Sequence, residues 1–133
     1  MKNSSVIRVE GRQDTPTIVI DETKQLVKIS GSSFNESAID LYYQILDWVH
    51  KIEKNLEGQL HFEFDYIYIN SSTKKMVFVL LNHLEKLFKA GNDILITWYY
   101  EEYDDDMLEL GEDFAELITM PFNFIPKEEE DYY

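Results

Sequence analysis

Apolar residues along the chain follow two rhythms, and the points where one gives way to the other divide it into strands and helices. Thr17-Ile-Val-Ile20 and Leu26-Val-Lys-Ile-Ser30 are short runs rich in β-branched residues. The polar stretch Asp21 to Gln25 between them predicts a hairpin. Pro16 suits the start of a strand. From Ile39 the period changes: Ile39, Tyr42, Leu46, Val49 and Ile52 recur at steps of three and four and make one buried helical stripe. Asn35 or Ser37 can cap that helix, and Gly58 closes the unit. Gln59 to Ile69 returns to strand character. Leu60, Phe62, Phe64, Tyr66 and Tyr68 alternate first with His61, Glu63 and Asp65 and then with Ile67 and Ile69. The first half therefore has one wet face, and the second half, apolar on both faces, is expected to run into the middle of the domain.

A second helix is predicted from about Ser72 to Lys89, with Met76, Val77, Leu80, Leu81, Leu84, Leu87 and Phe88 on its apolar face and Gly91-Asn92 as its stop. Ile94 to Tyr100 reads as a buried strand. The acidic loop Glu101 to Asp106 leads into a third helix carrying Met107, Leu108, Phe114, Leu117 and Ile118, and Pro121 to Ile125 reads as a last strand. The order is β-β-α-β-α-β-α-β. Strands separated by helices imply right-handed parallel crossovers, so the expected fold is α/β: an open, mostly parallel sheet with an antiparallel hairpin at its edge and helices largely on one face. Residues 1–13 are expected to be a flexible arm or frayed strand, 14–126 one domain, and 127–133 an acidic tail.

Composition narrows the function. The 133 residues include eight Phe, nine Tyr and two Trp, enough bulk for a core. The formal net charge of -14 opposes nucleic acid and anionic membranes, whose partners need clustered Lys and Arg, while leaving a basic protein surface as a partner. No cysteine is present, which removes disulfides, thiolate catalysis and cysteine-held zinc. No signal peptide is recognisable at the start, and no apolar run reaches the roughly 18 residues of a membrane helix, so a cytoplasmic protein is expected.

Catalytic signatures are sparse. Phosphate-cradling glycine motifs and the nucleophile elbow are missing from the sequence, and no cofactor is expected. His61, Glu63 and Asp65 share a strand face and could hold a divalent cation, which leaves a metal-dependent enzyme as a remote alternative. Alternating polar residues on a wet face need no such role. His50 and His83 read as surface or half-buried histidines.

The junction Asn70-Ser71-Ser72-Thr73-Lys74 is more informative. A strand runs into three consecutive hydroxyls where a helix starts, and a helix start offers unpaired N–H groups and partial positive charge to an anion. One hydroxyl suffices to cap the helix. Three leave at least one spare, so Ser71, Ser72 and Thr73 are all candidate phosphoacceptors on a non-catalytic switch.

Four segments in order, Thr15-Pro-Thr17, Ile45-Leu-Asp-Trp-Val49, Tyr66-Ile-Tyr-Ile-Asn-Ser-Ser72 and Ile96-Thr-Trp-Tyr99, give the chain from Thr15 to Ile125 a likeness to a known family. It resembles the SiaC family of bacterial regulatory phosphoproteins, whose members look like the STAS domains of anti-sigma-factor antagonists. The resemblance implies a STAS-like sheet and partner switching. A cognate Ser/Thr kinase modifies a hydroxyl at the strand–helix junction and a phosphatase removes the phosphate. The unmodified protein binds an effector, in the family's type member a diguanylate cyclase, raising cyclic di-GMP and biofilm formation. The acceptor then falls on Ser71, where the type member carries Thr. Asn70 and Lys74-Lys75 depart from the Asp before the acceptor and the Gly after it that anti-sigma-factor antagonists show, so kinase and effector need not be those of the sigma-factor system. Asn70 to Lys74, with Tyr42 and Tyr43 nearby, are the expected partner contacts. The alternative is a constitutive interaction domain in which the hydroxyls only cap the helix.

Overall fold

The computed structural model describes residues 6–128. Strands β1 (Val6–Val9), β2 (Thr17–Asp21) and β3 (Leu26–Ser33) lead into helix α1 (Ala38–Ile52), which tightens into a single 3₁₀ turn, Glu53–Asn55. Strand β4 (Leu60–Ile69), helix α2 (Ser71–Lys89), strand β5 (Ile94–Glu101), helix α3 (Asp105–Glu116) and strand β6 (Phe122–Lys127) follow. The six strands lie side by side in chain order, antiparallel from β1 to β3 and parallel from β3 to β6. All three helical crossovers advance in one direction across the sheet, and right-handed connections then put every helix on the same face.

Burial follows from that arrangement. Ile18 and Ile20 of β2, Val27 and Ile29 of β3, Phe62 and Phe64 of β4, and Ile96 and Trp98 of β5 stand in register on the covered face. The helices close over them with Tyr42, Ile45 and Val49 of α1, Val77, Leu80, Leu81 and Leu84 of α2, and Phe114 of α3. Trp98 donates its indole N–H to the Met107 carbonyl at 3.0 Å. At Gly111 a Cβ would lie 2.6 Å from that indole, so the glycine is what lets α3 settle on the sheet.

Three expectations need correcting. Val6–Val9 is a paired edge strand against β2, which adds one strand to the front of the expected order. Lys127, placed in the tail, is the last residue of β6 and bridges Asp65 of β4 at 2.5 Å and Glu101 of β5 at 3.4 Å. The rest of the acidic tail, residues 129–133, lies outside the described residues. The second half of β4 enters the core only through Tyr66 and Ile69, each 4% exposed. Strand β5 pairs with it only from Leu60 to Phe64, and Ile67 and Tyr68 are 70% and 54% exposed. An apolar pair of faces looked like double burial because the sequence does not reveal where the neighbouring strand stops.

Candidate functional site

The site is the passage from β4 into α2. Its N-cap is Asn70, with extended backbone and a side-chain oxygen that accepts the Thr73 N–H at 3.0 Å. Asn70 also donates its amide to the Phe34 carbonyl at 3.2 Å, which ties the cap to the end of β3. The cap is thus an asparagine rather than one of the hydroxyls. Ser71 and Ser72 become the first two helical residues, both exposed, and neither hydroxyl forms a hydrogen bond among the described residues.

Thr73 is different. It is 1% exposed, and its hydroxyl donates to the Ser33 carbonyl at 2.8 Å while standing 2.9 Å from the Ser33 hydroxyl. The Tyr42 hydroxyl donates to Ser33 Oγ at 3.0 Å and lies 2.8 Å from the Tyr66 hydroxyl. Four buried hydroxyls therefore run as one chain beneath the junction and join β3, α1, β4 and α2. Burial pushes the Tyr66 phenol well above its ordinary value, with Tyr42 adding to the shift. Burial also raises Tyr42, against the lowering effect of its hydrogen bonds to Ser33 and Tyr66. Both phenols keep their protons as donors at neutral pH.

Two site residues are corrected by this geometry. Thr73, a candidate acceptor, is sealed. Tyr42, an expected partner contact, is buried as a strut of the hydroxyl chain, whereas its neighbour Tyr43 is 54% exposed. Lys74 and Lys75 are exposed in the first turns of α2, and no acidic residue stands in that first turn.

The residues missed by sequence reasoning form the rim. Phe34 is 43% exposed and meets Tyr68 edge-on, with ring centroids 5.6 Å apart. Beside them Ile67, Tyr68, Ile69 and Lys74 face Asp106, Met107 and Leu110 of α3 across a cleft of about 480 Å³. The signal available was the apolar second half of β4, whose Ile67 and Tyr68 were misread as core. Exposed aromatic and aliphatic side chains beside a rigid junction are what a protein partner buries.

His61, Glu63 and Asp65 lie on the open sheet face but do not form a ligand set. His61 Nε2 sits 2.7 Å from Thr97 Oγ1, Glu63 accepts the Tyr99 hydroxyl at 2.6 Å, and Asp65 accepts from Lys127. Each is turned toward its own partner on β5 or β6. The Glu63 hydrogen bond, with some burial, pushes Tyr99 up to about 12. No helix among the described residues is long and apolar enough to cross a membrane.

The family model for SiaC family regulatory phosphoproteins matches residues 9–127. An uncharacterized protein of Pseudomonas aeruginosa strain UCBPP-PA14 is 28% identical over 118 residues, 89% of this chain and 94% of that relative. The crystal structure of apo-SiaC from Pseudomonas aeruginosa superposes with a TM-score of 0.84 at 27% identity, covering 91% of this chain and 98% of that one. A chain in the crystal structure of the diguanylate cyclase SiaD with its activator SiaC, from the same organism, gives a TM-score of 0.86 at 26% identity, covering 91% and 99%.

Proposed function

The chain belongs to the SiaC family of regulatory phosphoproteins, and from that premise we propose that it is a switch whose docking on an effector is controlled by phosphorylation of Ser71. It is a regulator and not an enzyme. A Ser/Thr kinase adds the phosphate, a phosphatase removes it, and the unmodified protein docks through the rim of Phe34, Ile67 and Tyr68. The effector is a diguanylate cyclase, a reading supported by the solved complex of SiaC with SiaD. The switch works in the cytoplasm and acts through cyclic di-GMP.

One observation carries the choice of residue. Asn70 makes the cap and Ser33 occupies Thr73, so Ser71 at the first helical position is exposed with an uncommitted hydroxyl. Ser72 is also exposed, and Ser71 is preferred because the resemblance to the family implies an acceptor directly after Asn70. A phosphate on Ser71 brings about -1.5 to -2 charges to a helix start, where the dipole and Lys74 favour it. The fold keeps its stability. A partner covering the rim meets a strongly hydrated dianion, and docking is lost by repulsion and desolvation rather than by unfolding.

Incubation with ATP and a Ser/Thr kinase encoded beside the gene, followed by mass-spectrometric mapping, should place phosphate on Ser71 and none in Ser71→Ala. Phosphate on other residues only, or none at all, contradicts the assignment. Equal effector binding by Ser71→Asp and Ser71→Ala would favour the constitutive interaction domain instead.

A further inference from the structure

Away from the junction, the end of α1 and the middle of α2 bring together three metal-ligating side chains that the switch does not use. His50 lies in the last turn of α1, and Glu53 three residues on in the 3₁₀ turn, so both project to one side. His83 faces them from α2. Glu53 Oε1 stands 3.1 Å from His50 Nδ1 and 2.8 Å from His83 Nε2. The two rings have centroids 4.4 Å apart, and one ligand atom from each residue falls within 4.8 Å of the others.

We propose that His50, Glu53 and His83 form a zinc site that clips α1 to α2. Two imidazole nitrogens and one carboxylate oxygen are a donor set that zinc takes with a fourth position left for water. Calcium and magnesium prefer oxygen alone, so they are poor occupants. Around a tetrahedral zinc with bonds of about 2.05 Å, ligand atoms stand about 3.3 Å apart. The two contacts to Glu53 are already close to that spacing. Without the ion, His83 Nε2 lies within hydrogen-bond distance of the Glu53 carboxylate, and His50 Nδ1 stands beside the same oxygen. In the imidazole tautomer whose N–H is on the ring's other nitrogen, each of these nitrogens offers a lone pair to a metal. Side-chain exposures of 19% for His83 and 23% for Glu53 set two ligands in partial shelter, while His50 at 56% leaves the ion a route from solvent. The strongly negative protein raises the cation concentration around it. The bound ion stabilises the native state because the unfolded chain does not hold the three groups together.

Titration of the metal-stripped full-length protein with Zn2+ by calorimetry should show one ion per chain and a raised melting temperature, with neither effect from Mg2+ or Ca2+. His50→Ala, at an exposed position, should weaken Zn2+ binding at least about tenfold, the loss that even removal of a ligand's supporting partner brings. Glu53→Gln should do the same, and His61→Ala, on the open sheet face, should change nothing. Zn2+ affinity unaltered in both His50→Ala and Glu53→Gln, no one-to-one binding by the wild type, or an equal loss in His61→Ala would each overturn the site.

Discussion

Ser71 and Thr73 stand two residues apart in the first turn of α2 and have opposite surroundings. Two residues turn a helix by about 200°, so hydroxyls that are neighbours in sequence point to opposite sides. Thr73 turns inward to the end of β3 and joins Ser33, Tyr42 and Tyr66 in a closed chain of hydrogen bonds. Ser71 turns outward and is exposed, one residue after the Asn70 cap that binds the Phe34 carbonyl. The inner group fixes where the helix starts, and the outer group can then change charge without moving it. The proposed switch needs both: a floor whose polar groups are all satisfied, and a surface whose hydroxyl is uncommitted.

Aspartate at the two positions should separate them most widely. Thr73→Asp puts a carboxylate under the junction and should cost about 3–5 kcal/mol or unfold the protein, as an uncompensated buried charge does. Thermal or urea melts will measure this, and a folded, stable Thr73→Asp would break the contrast. Thr73→Val keeps the shape but strands the Ser33 oxygens, with an expected loss of about 1–3 kcal/mol in urea unfolding. Asn70→Ala removes the cap together with the amide's hydrogen bond to the Phe34 carbonyl and should cost about 1–2 kcal/mol by the same measurement. Ser72→Ala and Ser71→Asp, both on the outer side, should stay within about 0.5 kcal/mol of wild type. A larger loss in either would mean that the outer hydroxyls hold structure.

Much of the fold was legible because strand and helix rhythms are local. The alternation Leu60, Phe62, Phe64 and the steps Val77, Leu80, Leu81, Leu84 each report which side is buried whatever lies opposite. Tyr42 was legible too: it belongs to the apolar stripe of α1, and its burial follows from that stripe more directly than its exposure follows from nearness to the junction. The sealing of Thr73 was not legible, since its partner Ser33 is forty residues earlier and only the parallel pairing of β3 with β4 brings them together. The exposure of Ile67 and Tyr68 depends on where β5 leaves β4, again a tertiary fact. The meeting of His50, Glu53 and His83 depends on how α1 packs on α2, and by sequence His50 and His83 read only as surface or half-buried histidines while nothing singles out Glu53.

The most direct test prepares the protein fully phosphorylated at Ser71 and compares it with unmodified protein in two readouts, affinity for the proposed diguanylate cyclase effector and melting temperature. The account predicts at least about a hundredfold loss of affinity, equivalent to about 2.7 kcal/mol, with the melting temperature essentially unchanged. Undiminished binding, or a loss of binding that arrives only with a collapse in melting temperature, would contradict it.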